Sequence, residues 1–202
     1  PSVAAQSSGI PLDWAATDGR AGVKRLEGLA EPSVPRVGTA VQRERREGDI
    51  VIASIHWGGN WGYSIPDQHR AFAQRLIDAA GVDVIHGHSS HHPCGIEVYH
   101  GKAILYGCGD FINDYEGIGG REAFRVELRL MYFVTVDVAT GELAGLEMVP
   151  TRIARFQINR ALPADAAWLK DTMDRECGRF GCRIEADGER GFILRWEQEN
   201  GD

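Results

Sequence analysis

A strand-helix-strand unit between residues 49 and 85 constrains the fold of this chain more than any other part of its sequence. Residues 50–55 are an apolar, β-branched run, which is typical of a strand that is buried on both faces. Pro66 begins an amphipathic helix that is predicted to end at Gly81, and residues 82–85 supply a second short strand. Two strands joined by a crossover helix are expected to be parallel. The pattern therefore predicts an α/β sheet.

Histidine residues follow both predicted strands. All seven histidines of the chain lie within residues 56–100. His56 follows the first strand, and His86, His88 and His91 follow the second. His69 and His100 are expected on the surface, in the helix and in a turn respectively. The carboxyl ends of parallel strands meet at one edge of a sheet, which is where ligands bind in open α/β folds. Because imidazole binds divalent metals and exchanges protons near neutral pH, we predict a site at this edge.

The charge distribution favours a cation-binding site over a nucleic-acid groove. Residues 51–150 contain six basic and twelve acidic side chains, which account for most of the net charge of −7. The acidic excess therefore coincides with the histidines, whereas a nucleic-acid partner would require clustered Lys and Arg. A solvated acidic surface is the alternative explanation of this excess.

Membrane and targeting signals are absent from the sequence. No stretch is apolar over the roughly 20 residues that a membrane-spanning helix requires, and the N-terminal residues lack the charged-then-apolar order of a signal peptide. We therefore expect no membrane segment in this chain. The compartment is left open between the cytoplasm and an extracytoplasmic space.

The length of 202 residues predicts one domain with three parts. Residues 1–48 are rich in loop-forming residues and contain one predicted helix at 34–47. Residues 49–160 form the core, and residues 161–202 form an extension of a helix and a β-hairpin. The other predicted elements are a hairpin of strands 96–99 and 103–106, a longer hairpin of 124–138 and 143–157, a helix at 163–179, and strands at 182–185 and 191–196.

Two groups of polar residues lie beyond the histidines. Asp110, Asn113 and Asp114 follow the first hairpin, where they could return oxygen ligands or a proton acceptor to the cleft, or simply cap a turn. Arg125, Glu127 and Arg129 alternate along the next predicted strand, and we expect them on a solvated face.

The four cysteines do not have the spacing of a zinc ribbon or a C-x-x-C pair. Local bridges between Cys177 and Cys182, or between Cys94 and Cys108, are conceivable from their positions. Free thiols are the preferred prediction, because a chain of this size does not need covalent staples.

Four motifs resemble the CapA family and occur in its order. Their residues are His56-Trp57-Gly58, Gly87-His88-Ser89-Ser90-His91, Gly95-Ile96-Glu97-Val98-Tyr99-His100-Gly101-Lys102 and Gly107-Cys108-Gly109-Asp110-Phe111-Ile112. The family comprises proteins similar to the poly-γ-glutamate capsule biosynthesis protein, within the calcineurin-like metallophosphoesterase superfamily. The resemblance covers about residues 50–114 and extends weakly to 155.

The resemblance implies an α/β (α+β) fold of four layers, a metallophosphoesterase-like αββα sandwich with a cleft at the carboxyl edges of its strands. It also implies that His56, His88 and His91 are metal ligands. One or two divalent ions of Mn, Zn or Fe would polarise a phosphoryl oxygen and activate water there. Candidate catalytic residues are His92 and Asp110, as acid or base, and Asn60, as a polar group of the cleft.

The sequence departs from the superfamily pattern in three ways. The second motif is His-x-x-His, and Asn60 and Asp110 stand where many relatives have Glu and Asn. The acidic metal-binding motifs that precede the strand of His56 in relatives do not occur in residues 1–48. The chain is therefore expected to be the C-terminal portion of a longer protein whose N-terminal half supplies further ligands. A degenerate member without a binuclear centre is the alternative.

Three functional hypotheses follow from the residues and the resemblance. The first is a metal-dependent hydrolase of phosphoesters or amides. The second is a peptide epimerase or other proton-transfer enzyme that uses His and Asp as an acid–base pair. The third is a non-catalytic subunit for the synthesis or export of a capsule polymer. The expected partners are a small-molecule, peptide or polyanionic polymer substrate and the missing N-terminal half, with no nucleic acid.

Overall fold

The computed structural model of the chain describes residues 2–29, 32–113, 118–188 and 191–197, which form two β-sheets and three α-helices. The helices are α1 (Ser33–Glu44), α2 (Asp67–Ala80) and α3 (Pro163–Gly178). The strands of the first sheet are β1 (Ser2–Ala5), β2 (Arg25–Leu26), β3 (Ile52–His56), β4 (Val84–His88), β5 (Ile96–Tyr99) and β6 (Lys102–Leu105). Those of the second are β7 (Leu128–Val136), β8 (Leu143–Ala154), β9 (Gln157–Arg160), β10 (Cys182–Asp187) and β11 (Gly191–Trp196).

The first sheet contains the predicted strand-helix-strand unit at its centre. Its strand order is β2-β1-β3-β4-β6-β5, and every pair is parallel except β5 with β6. Helix α2 connects β3 to β4 and ends at Gly81, whose φ of 68° is left-handed, as the sequence predicted. Ser54 lies opposite His86 and His56 lies opposite His88 in the register of β3 and β4. The two strands therefore end side by side.

The N-terminal segment differs from the loop-rich prediction for residues 1–48. Strand β1 pairs with β3 on the side away from β4, so the N-terminal segment of the chain covers this edge of β3. The short sequence Ser-Val-Ala-Ala of β1 carries no recognisable periodicity, although Val3 and the alanines are buried. The predicted helix is present but spans Ser33–Glu44.

The second sheet is antiparallel, in the order β10-β11-β8-β7, with β9 paired to β8. Strand β7 begins four residues later than predicted, because Glu122–Phe124 is a 3-10 helix and Arg125 has a φ of 46°. The expected solvated face of this strand is wrong for Arg129, whose side chain is only 1% exposed. Arg129 alternates with Leu128 and Leu130, which belong to the core between the sheets, so the period of the strand alone does not predict its burial.

Two hydrophobic cores hold the layers together. One lies between α1, α2 and the first sheet, and the other lies between the two sheets and also receives α3. Representative members of the first are Val37, Ile55, Phe72, Leu76 and Ile85, and of the second Val84, Leu105, Leu130, Met148 and Met173. This arrangement confirms the α+β class and the two-sheet sandwich. The other face of the second sheet is exposed at Phe133 and Glu147, so the described residues place no outer helical layer over these positions.

The structure shows the state of the cysteines. All four cysteines are free thiols, as predicted, and Cys108 alone is only partly buried. Among the described residues, no helix has the length and apolar content needed to cross a membrane.

Candidate functional site at the carboxyl edge of the first sheet

His56 and His88 form the centre of the candidate site. They are the last residues of the adjacent parallel strands β3 and β4. Their Nδ1 atoms lie 3.1 Å apart, and their ring centroids are separated by 5.0 Å. The structure thus brings together two of the three predicted metal ligands, as expected from the ends of parallel strands.

Both imidazoles are in an environment that favours the neutral ring. Burial lowers the pKa of His88 to about 4, and the neighbouring His86 and His56 contribute further in the same direction. Burial, followed by the charge of His91, also lowers the pKa of His56. A neutral imidazole keeps a nitrogen lone pair, which is the form that binds a metal ion or accepts a hydrogen bond.

His86 also lies in the site, although the sequence analysis predicted neither a metal-binding nor a catalytic role for it. Its Nδ1 lies 2.9 Å from the Oγ of Ser54, and its ring stacks at 5.4 Å from that of His88. Burial lowers its pKa as well. The signal was present in the sequence, because residues i and i+2 of a strand share a face, so His86 and His88 had to lie on the same side.

His91 is turned towards Asp110 instead of joining His56 and His88. The Nδ1 of His91 lies 2.9 Å from the Oδ2 of Asp110, and the same oxygen accepts a hydrogen bond of 3.3 Å from Asn113. Asn60 is exposed, and its contact with the site is a backbone carbonyl that accepts the His91 amide hydrogen at 3.1 Å. Asp114 lies outside the described residues. The predicted roles of His91, Asp110 and Asn60 remain predictions.

His92 is buried and held at both ring nitrogens. The residue is only 1% exposed. Its Nδ1 lies 3.0 Å from the carbonyl oxygen of Pro93, and its Nε2 accepts the Gly62 amide hydrogen at 3.1 Å. These contacts require the neutral Nδ1–H tautomer, because a carbonyl oxygen can only accept. Both ring nitrogens of His92 thus have partners within the protein, and its acid–base role stays a prediction.

The two histidines that were expected on the surface behave differently from each other. His100 is exposed and pairs with Asp78, as expected. The expectation is wrong for His69, which is 6% exposed and stacks on Trp57 with ring centroids 5.0 Å apart. His69 precedes the buried Phe72 by three residues, so it lies on the buried side of α2.

An aromatic wall of Trp61, Tyr63 and Phe124 lies beside the histidines. The ring of Trp61 is 5.2 Å from that of His91 and 5.5 Å from that of Phe124. The guanidinium of Arg121 sits over Trp61 at 5.3 Å, and that of Arg175 lies over Tyr63 at 5.6 Å. Sequence reasoning missed this wall, although two of its members follow His56 within seven residues.

The donor atoms fit a divalent metal only in part. Two nitrogens that are each about 2.1 Å from one ion lie roughly 3.0–3.4 Å apart, and the Nδ1 atoms of His56 and His88 satisfy this condition. A tightly held ion usually has at least three protein ligands. Within the described residues, no group of three or more His, Cys, Asp and Glu side chains could hold a metal ion. Any further ligands would therefore have to come from elsewhere.

An apolar cavity of about 620 Å³, called here the inter-sheet groove, opens next to the histidines. It lies between the face of the first sheet that carries His86 and the inner face of β7. Its lining includes Ile52, Val84, Leu105, Phe111, Leu130, Tyr132 and Val134. The groove therefore extends the candidate site into a surface without charged side chains in its lining.

Comparison with known proteins identifies the family. The sequence profile described as bacterial capsule synthesis protein PGA_cap matches residues 2–115, which is more than half of the chain. The chain belongs to the PGA_cap family. The match includes every predicted site residue and confirms the resemblance to CapA proteins and their metallophosphoesterase-like fold.

Curated relatives of this PGA_cap chain include proteins that are named for polyglutamine synthesis, PGA biosynthesis and capsule biosynthesis. A probable polyglutamine synthesis accessory protein of Mycobacterium tuberculosis is 52% identical over 184 residues, which cover 91% of this chain and 48% of the relative. The PGA biosynthesis protein CapA of Bacillus subtilis is 33% identical over 90 residues, covering 45% and 23% respectively. The capsule biosynthesis protein CapA of Bacillus anthracis is 29% identical over 146 residues, covering 71% and 33%. The chain thus spans about half the length of the M. tuberculosis relative.

Proposed function

We propose that this chain carries the histidine side of a hydrolytic centre that cleaves a phosphoester or amide bond as an accessory step in capsule-polymer synthesis. The observation that carries the proposal is the close pair of His56 and His88 next to the hydrogen-bonded pair of His91 and Asp110. Both pairs lie at the sheet edge where α/β folds bind ligands.

His56 and His88 would hold a divalent ion of Mn, Zn or Fe together with acidic ligands from outside this chain. Such an ion, when bound, polarises the oxygen of the scissile group and makes water more acidic. The low pKa values of both histidines keep their rings neutral at physiological pH, which is the state that a ligand requires.

His91 and Asp110 would handle the proton. A carboxylate that accepts the Nδ1 hydrogen of an imidazole fixes the tautomer that leaves the Nε2 lone pair available. In this form His91 can accept a proton from water and return it to a leaving group. Trp61 lies against His91 and would orient the substrate and exclude bulk water.

The substrate that we propose is a polyanionic glutamate polymer or peptide. Its support is the placement of Arg121 over the aromatic wall, which puts a positive charge beside the site of an acidic chain. Arg175 also lies over the wall, but it forms an ion pair of 2.9 Å with Glu176. The Bacillus relatives are named for PGA biosynthesis and for capsule biosynthesis, which is consistent with such a polymer. Guanidinium groups bind carboxylates with directional hydrogen bonds.

We also propose that the inter-sheet groove and the free edge of β7 are covered by the protein region that the longer relatives possess and this chain does not span. Strand β7 ends its sheet, and residues 130–136 of it contain no charged side chain, so it lacks the usual protection of an edge strand. Ile52, at the mouth of the groove, is 53% exposed. The relatives' additional length is sufficient for such a covering segment, since this chain corresponds to 48% of the M. tuberculosis protein.

Metal analysis of the full-length gene product tests the hydrolase proposal. We expect bound Mn, Zn or Fe, and a loss of metal affinity of at least about tenfold in His56→Ala and in His88→Ala. His100→Ala is the matched control, because this exposed histidine pairs with Asp78 away from the site and should leave the affinity unchanged. Absence of metal together with absence of hydrolysis of glutamate peptides and phosphodiesters would refute the proposal.

A proton-transfer reaction at a peptide α-carbon is the second candidate. The His91–Asp110 pair favours it, since an imidazole oriented by a carboxylate is a sufficient base without a bound ion. Incubation of the protein with glutamate peptides in deuterated water distinguishes the two. Incorporation of deuterium at the α-carbon without cleavage supports epimerisation, and cleavage without incorporation supports hydrolysis. If neither occurs, both enzymatic proposals fail and a non-catalytic accessory role is left.

A further inference from the structure

Arg129 is a charged side chain in the interior of the molecule. It belongs to β7 in the second sheet, is only 1% exposed, and its Nη1 donates a hydrogen bond of 3.1 Å to the carbonyl oxygen of Leu128. Removing a guanidinium from water is unfavourable unless a negative group compensates it. The identity of the group that Arg129 faces therefore indicates why a charge is retained here.

Arg129 faces the carboxylate of Asp110. Its Nη2 lies 3.7 Å from Oδ2, the same oxygen that lies 2.9 Å from Nδ1 of His91 and accepts the amide hydrogen of Asn113 at 3.3 Å. Two hydrogen-bonding groups and one buried positive charge thus converge on a single carboxylate oxygen. The side chain of Asp110 is 22% exposed, so solvent screens the attraction only partly.

We propose that Arg129 is a positioning residue that acts on His91 through Asp110. The buried positive charge attracts the Asp110 carboxylate towards β7 and holds Oδ2 where it accepts the Nδ1 hydrogen of His91. The second sheet, outside the residues 2–115 that match the family profile, thereby controls a side chain of the first sheet. A catalytic role for this contact rests on the proposed function, but the effect of Arg129 on His91 through Asp110 does not.

The tautomer of His91 is the quantity that the linkage predicts. With Asp110 held in place, neutral His91 carries its proton on Nδ1. Without the positive charge, the carboxylate loses its attraction towards β7, and the proton of His91 is expected to distribute between Nδ1 and Nε2. A purely structural arginine would affect the stability of the sheet without changing the tautomer of a single histidine on another element.

NMR of the chain labelled with ¹⁵N-histidine measures this tautomer directly, at a pH where free imidazole is neutral. We expect the Nδ1–H form for His91 in the unmodified chain and its loss in Arg129→Met, with retention in Arg129→Lys. Asp110→Asn should cause the same loss. Arg152→Met is the matched control, because Arg152 lies on the neighbouring strand β8 and pairs with Asp165, not with Asp110.

An unchanged His91 tautomer in a folded Arg129→Met chain would overturn the proposal, and so would an equal loss in Arg152→Met. If Arg129→Met does not fold, Arg129→Gln removes the charge while keeping polar atoms in the same space, and the same two outcomes apply. Since the readout is a tautomer, a chain without hydrolase activity leaves this result standing, and the two proposals fail separately.

Discussion

The indole nitrogen of Trp57 donates a hydrogen bond of 2.9 Å to the carbonyl oxygen of Tyr106, directly over Gly87. Trp57 follows β3 and Tyr106 follows β6, and Gly87 lies in β4 between them, flanked by His86 and His88. This bond is possible because Gly87 has no side chain. The glycine between the two histidines therefore serves the packing that holds the carboxyl edge together.

Gly87→Ala should destabilise the chain by roughly 1–3 kcal/mol, because the new methyl group overpacks a closed space. A Cβ at Gly87 would lie 2.6 Å from Nε1 of Trp57 and 2.7 Å from the carbonyl oxygen of Leu105. Urea denaturation followed by tryptophan fluorescence measures the change. Gly145→Ala is the control, since a Cβ there meets no atom within 4 Å, and its effect should stay within about 0.5 kcal/mol. Equal effects of the two substitutions would contradict this account.

The sequence predicted the centre of the first sheet and the meeting of His56 and His88 because both depend on strong local patterns. A buried strand, a capped helix and a second buried strand leave little freedom in the order and direction of their ends. The hairpin turn was equally local: His100 and Gly101 have positive φ values of 46° and 70°, as a tight turn requires.

The features that were not predicted depend on contacts between distant parts of the chain. Strand β1 has too few residues to show a period, and its pairing with β3 joins residues about 50 positions apart. The burial of Arg129 accompanies a contact with Asp110, which lies in a different part of the chain. His69 is different, since the helical period placed it beside Phe72 and only its polarity suggested exposure.

Glu97 is the buried centre of a polar network between β5 and α2, and its removal should cost about 3 kcal/mol. Its carboxylate accepts two hydrogen bonds of 3.1 Å and one of 2.9 Å from Arg70, one of 3.0 Å from Gln74, and another from the Tyr106 hydroxyl. Burial, then the hydrogen bond to Glu97, raises the pKa of Tyr106, so this hydroxyl remains a donor. Glu97→Ala leaves these donors without their acceptor, and chemical denaturation should show the loss.

Glu185→Ala is the control for Glu97. Glu185 also accepts from an arginine, Arg195 at 2.8 Å, but both side chains are about half exposed. An ion pair in water contributes at most about 1 kcal/mol. If the two variants lost similar amounts of stability, burial of the network would not be the cause.

The stability of the chain should fall as the pH decreases from about 6.5 towards 4. Burial lowers the pKa of His69 and lowers that of His88 to about 4, while unfolded histidines titrate near 6.5. In this window the unfolded chain takes up protons that the folded chain does not, so acidification favours unfolding. Above it all these groups are neutral in both states, and the contribution is fully present. Urea midpoints at about pH 7.5 and about pH 5 measure the difference.

His69→Phe should reduce this pH dependence, because phenylalanine keeps the stack on Trp57 and cannot take up a proton in the unfolded chain. The urea midpoint of His69→Phe would then fall less between the two pH values than that of the unmodified chain. The same fall in both chains would show that His69 is not among the responsible groups.

Phe133 lies on the free edge strand β7 and is 50% exposed, so it should promote self-association of the chain. Within the part of the chain that the structure describes, β7 ends its sheet and pairs only with β8, and the neighbouring inter-sheet groove adds apolar surface. Phe133→Lys places a charge on this edge, and a second strand could pair there only if the lysine ammonium lost its hydration.

Sedimentation velocity over a range of concentrations should show less dimer and less higher oligomer in Phe133→Lys than in the unmodified chain. Leu12→Lys also replaces an exposed apolar side chain, 73% exposed and remote from the second sheet, and should associate like the unmodified chain. Equal solubilisation by both substitutions would mean that general surface charge, and not the edge of β7, controls association.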